Sequence, residues 1–102
     1  MNHQSMKAFR RRLVDFAEIL GPRASIAELI VLLEVALREG ERMTDLHGDL
    51  AIELTMGGVS QAVDVLSNGR GGWMERRDSV HDGREVEVWL TQRGRRRMEQ
   101  IE

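Results

Sequence analysis

The sequence contains no cysteine, which excludes a thiol nucleophile and a thiolate metal site and fits a reducing compartment, so a cytoplasmic location is expected. No apolar run approaches the roughly 18 residues of a membrane span. No signal-peptide pattern opens the chain, and no membrane partner is expected. His3, His47 and His81 stand far apart with no ligand spacing around them, so no metal site is expected. A glycine-rich loop after a strand and a nucleophile elbow are missing, and no paired carboxylates in a pocket are evident. The expectation is a non-enzyme with no catalytic residue and no cofactor. The segment from Thr55 to Asn68 also lacks lysine and arginine.

What is present is one domain of 102 residues, long enough for a modest core, with ordinary apolar content and 31% charged residues. The net charge of −2 does not announce a nucleic-acid binder, but its distribution is uneven. Residues 1–23 carry a balance of +3, residues 24–69 one of −6, and residues 70–102 one of +1. An anion-binding surface would therefore be local and near the arginine-bearing ends.

Hydrophobic spacing organises the chain. Met6, Phe9, Leu13, Phe16 and Leu20 recur every three or four residues, predicting a helix over 5–20 capped by Ser5 and stopped by Gly21-Pro22. Arg10, Arg11 and Arg12 fall mostly off that stripe and read as a solvated face. Ser25 and Glu28 form a capping box for a second, strongly apolar helix, with Gly40 as its C-terminal cap. Thr44 and Thr55 are expected to cap two short helices joined near Leu54, a helix-turn-helix arrangement. Val59, Val63 and Leu66 share one face of the second, which Asn68-Gly69 ends.

After a glycine-rich connector, Trp73 to Arg77 and Glu85 to Thr91 read as the strands of a hairpin. Val86, Val88 and Leu90 alternate with Glu85, Glu87 and Trp89. Burial of at least one of Trp73 and Trp89 is expected. Thr91 can cap a final helix, whose first turn Gly94 weakens. Its Arg95, Arg96 and Arg97 read as a solvated face. The fold class expected is mainly α with a small β-hairpin (α+β): a winged helix-turn-helix in one domain. Its parts are a first helix (5–20), a helical core (25–69), a wing (73–90) and a short last helix (92–102).

Several residues in order then carry a more specific likeness. Val59-Ser60, Val63-Asp64-Val65-Leu66, Met74-Glu75-Arg76-Arg77, Asp82-Gly83-Arg84 and Leu90-Thr91-Gln92-Arg93-Gly94 follow one another at fixed separations. Together they resemble the winged-helix core of the MarR family of transcriptional regulators, over residues 44–97. The resemblance implies a homodimer on double-stranded DNA, with a recognition helix in the major groove and a wing arginine at the minor groove or its phosphates. On it, the DNA-binding candidates are Thr55, Ser60, Gln61, Asp64, Arg70, Arg76, Arg77 and Arg84. Met6, Phe9, Leu13 and Phe16 are the candidate dimer face.

The chain also departs from the family pattern. Gly48-Asp49 stands where the family carries Leu-Ala, and the connector before Trp73 is longer, a trait of short phage-encoded versions. The long C-terminal helix of the family is expected to be truncated or missing. With no cation on the recognition helix, affinity would rest on Arg70, Arg76, Arg77 and Arg84. The alternative is a winged helix that binds a protein partner, favoured by the acidic middle segment.

Overall fold

Four of the five described α-helices begin where a short polar side chain takes up a free backbone N–H. The structure is a computed structural model that describes residues 1–50, 54–69, 72–79 and 85–101. Helix α1 runs His3–Leu20, and its cap is Asn2, whose side chain accepts from the Ser5 N–H at 2.8 Å. Ser5 therefore lies inside the helix and does not cap it. Helix α2 spans Ile26–Leu37, and the Ser25 hydroxyl accepts from the Glu28 N–H at 3.1 Å, as expected. Helix α3 covers Met43–Asp49 without a side-chain cap. The Thr44 hydroxyl turns instead to the Glu85 carboxylate, 3.3 Å away. Helix α4 spans Met56–Asp64 with Thr55 as its cap, accepting from the Gly58 N–H at 3.0 Å. It runs on into a π-wound turn, Val65–Gly69. Helix α5, Gln92–Glu99, is capped by Thr91 accepting from the Gly94 N–H at 2.9 Å. None of the described helices is long and apolar enough to cross a membrane.

Beyond the expected hairpin the sheet has a third strand. Strand β1 is only Glu41–Arg42, β2 is Met74–Asp78 and β3 is Val86–Leu90, in the order β1-β3-β2, all antiparallel. Gly40 feeds β1. Its backbone is left-handed at φ +85°, and a Cβ there would stand 2.7 Å from the Trp89 ring. Helix α2 itself ends at Leu37 with Arg38 in the cap position. Gly40 thus serves the turn and the indole and is not the helix cap.

The core is one cluster: Val31, Leu32 and Val35 of α2, Leu46 of α3, Val59 and Val63 of α4, Leu66, Trp73, and Val88 and Leu90 of β3. Removing such side chains from water supplies the main driving force, at roughly 1.5–3 kcal/mol for each large one. Trp73 is fully buried and Trp89 half-buried, so the expected burial of at least one indole holds. The Trp73 carbonyl also receives the start of α5. A Cβ on Gly94 would stand 2.1 Å from that oxygen, so the glycine that weakens a helix turn is what lets the helix dock. Glu39 completes this joint, accepting from the Leu90 N–H at 3.1 Å and from Arg95 at 2.8 Å. Arg97 lies over the Trp73 ring at 5.3 Å. Arg95 and Arg97 are therefore engaged with the body, while Arg96 is exposed.

Candidate nucleic-acid interface

A short amphipathic helix with its apolar edge in the core must turn its other edge to solvent. In α4 the buried edge is Val59, Ala62 and Val63, and the outer edge carries Met56, Gly57, Gln61 and Asp64, all exposed. Met56 is 67% exposed despite its apolar chain. No periodicity marks it as a surface contact; only the Thr55 cap, which sets it on the first turn, could have done so.

The structure sorts the residues expected on this helix into distinct tasks. Thr55 holds the helix start. Ser60 is half-buried and pairs with His47 Nε2 of α3 at 3.1 Å, tying the two helices of the helix-turn-helix together. The spacing of thirteen residues between them gave the sequence no sign of this pair. Gln61 faces out and lines a cleft of about 270 Å³ against Ser25, Ala27 and Glu28 at the start of α2. Asp64, the last residue of α4, pairs with Arg76 of β2.

Strand β2 runs beside this helix end and carries the cations. Arg76 meets Asp64, and Arg77 meets Glu75 on its own strand through both Nη2 and Nε, the latter at 2.9 Å. The Arg77 guanidinium also lies over the Trp89 ring at 4.7 Å, which covers one of its faces. Asp64 and Arg76 are thus brought together at the end of α4, while Arg77 points to the opposite face of the strand with Glu75 and Trp89. Arg70 and Arg84 lie outside the described residues.

Two further surfaces stand out. Every residue from 1 to 14 is exposed, so the first half of α1 stands clear of the body. Met6 (49%), Phe9 (52%), Leu13 (39%) and Val14 (48%) are open to solvent, whereas Phe16 and Leu20 enter the core. On the side of α2 and α3, Glu34, Glu41 and Asp49 gather with carboxylate oxygens within 4.8 Å of one another. Burial, then a hydrogen bond with Asp49 and repulsion from Asp49 and Glu34, pushes the Glu41 carboxyl up from 4.5 to about 8, with Arg38 opposing. Three acids of the middle segment therefore gather beside β1, while a fourth, Asp64, forms the Arg76 pair.

No protein-family profile and no curated protein matches the sequence. Solved structures do match the fold. A cysteine-to-serine mutant of MarR from E. coli, complexed with operator DNA, aligns with a TM-score of 0.67 and 24% identity over 96% of this chain and 68% of that one. A probable transcriptional regulator from Pseudomonas aeruginosa gives 0.68 and 21% over 94% and 69%. The PcaV transcriptional regulator from Streptomyces coelicolor gives 0.65 and 17% over 97% and 70%. At these identities the likeness is one of fold. The chain has the winged-helix fold of these regulators, with α3 and α4 as helix-turn-helix and β2 and β3 as wing strands.

Proposed function

We propose that this chain is a DNA-binding transcriptional regulator of the MarR type. The observation that carries the reading is the outer edge of α4. It presents Met56, Gly57 and Gln61 to solvent on a helix held by Thr55 and by the His47–Ser60 contact, with Arg76 of β2 beside its end. Such an edge suits a major groove. Gln61 can bond an adenine edge, and Met56 can lie against a thymine methyl. Arg70 and Arg84, with Arg76 and Arg77, would supply the phosphate and minor-groove contacts, since a narrow minor groove attracts arginine.

The exposed half of α1 fits a homodimer. An isolated helical segment of about 12 residues is marginal in water, and Met6, Phe9 and Leu13 have no cover of their own. A second copy laid along that face would bury them and set two α4 helices on one duplex, as a two-fold operator requires.

A protein-binding winged helix is the second reading, favoured by the absence of any cation on α4. Binding to genomic DNA fragments across a salt series, beside an Arg84→Ala variant, separates the two. Saturable binding to a subset of fragments, weakened by salt and by the substitution, is the expected result. No binding even at low salt would overturn the DNA reading in favour of a protein partner.

A further inference from the structure

We propose that the Asp64–Arg76 ion pair is a brake on nucleic-acid binding, held in the fold between the end of α4 and β2. The inference rests on the DNA reading above and concerns how that surface is regulated. Asp64 is the more exposed of the two, at 60% of its side chain against 34% for Arg76. More of the acid than of the arginine is open to solvent, so an approaching phosphate meets negative charge at this pair. Arg77 is paired with Glu75 on the opposite face of the strand, the two about equally exposed at 47% and 44%. Both described cations of the wing root thus arrive already neutralised.

The consequence follows from counterion release. A cation that neutralises a phosphate steepens the salt dependence of binding by about 0.9 on a log–log scale. One that remains paired with a carboxylate contributes little of that attraction. Exposed ion pairs are weak, so this one can open, and its effect is to grade affinity rather than abolish it. The same weakness means that neutralising Asp64 should leave the fold intact. A bracing role, or a role for Asp64 in accepting from a cytosine amino group, would have the opposite sign, because removing the charge weakens either.

The test uses the full chain and a mixed-sequence DNA duplex, so that no operator need be known. Asp64→Asn should bind roughly three- to tenfold more tightly at low salt, with a salt slope steeper by about 0.9. Arg76→Ala should weaken binding more in the Asp64→Asn background than in the parent, which ties the gain to the freed guanidinium. Asp64→Ser, which removes the same charge, is the second variant should Asp64→Asn unfold, and a gain there supports the same device. If the parent binds and the neutralised variants bind equally or less well, the brake is wrong and the DNA reading stands. If the parent and all variants ignore duplex DNA at low salt, the DNA reading fails and takes the brake with it.

Discussion

Replacing Gly94 by alanine sets two effects of opposite sign against each other. In the interior of a helix the change should help, by up to about 1 kcal/mol. Position 94 is not free to accept it, because the new Cβ would stand 2.1 Å from the Trp73 carbonyl oxygen. That is roughly 1.3 Å inside ordinary contact, which begins at 3.4 Å. The oxygen has nowhere to go. It accepts from the Thr91 N–H at 3.1 Å, and the Trp73 side chain is fully buried. Helix α5 must move instead, straining the Thr91 cap and the Glu39–Arg95 contact. Overpacking of this kind costs typically 1–3 kcal/mol, and a weakened hydrogen bond adds about 1 kcal/mol. The net expectation is a loss of about 2 kcal/mol, or about 10 °C in Tm for a domain of this size. Gly57→Ala in α4 is the matched control. Among the described residues nothing lies within 4 Å of its Cβ, so it should be neutral or slightly stabilising. Thermal unfolding followed by circular dichroism, with urea titration for the free energy, reads both. A Gly94→Ala protein as stable as its parent would refute the docking account of this glycine.

The carboxylate cluster should show itself in the pH dependence of stability. Folded Glu41 keeps its proton up to about pH 8, while its ordinary value is 4.5, so between these the native state holds more protons than the unfolded one. Stability from this group is complete below the lower value and is lost as pH rises through the upper one, by at most about 1.4 kcal/mol per pH unit. Glu41→Gln should flatten that decline and stabilise the protein at pH 8 by about 1 kcal/mol or more; parallel profiles for variant and parent between pH 5 and 8 would contradict it. On the first helix, Phe9→Glu should shift the protein from dimer to monomer in sedimentation while leaving its Tm at low concentration nearly unchanged, since Phe9 is 52% exposed. A variant that sediments as the parent does would remove α1 from the interface.

What could be read from the sequence was the chemistry that acts within a few residues. Ser25, Thr55 and Thr91 each cap the next helix through a side chain that needs only the N–H three residues on. The alternation of Val86, Val88 and Leu90 likewise announced β3. Contacts across the fold had no such signature. Thr44 has the composition of a cap, yet Glu85, forty-one residues away, takes its hydroxyl. A two-residue strand such as β1 has no periodicity to detect. It exists because β3 offers it a partner, and Gly40 bends the chain toward that edge. Phe16 lies on the same helical stripe as Phe9, and spacing cannot tell which enters the core. At the candidate interface the resemblance named the residues but gave no sign of their pairing. Asp64 and Arg76 are twelve residues apart, on different elements, and only the packing of α4 beside β2 joins them.

The sheet order has a mechanical consequence. Strand β3 lies between β1 and β2 and is hydrogen-bonded along both edges, so the wing behaves as a beam built in at its root. β1 in turn leads directly into α3, with Arg42 ending the strand and Met43 beginning the helix. A load applied to the far ends of β2 and β3 is therefore carried as torque into the first helix of the helix-turn-helix. Wing and α3 cannot be tilted one at a time: a tilt at one is delivered to the other through a strand two residues long.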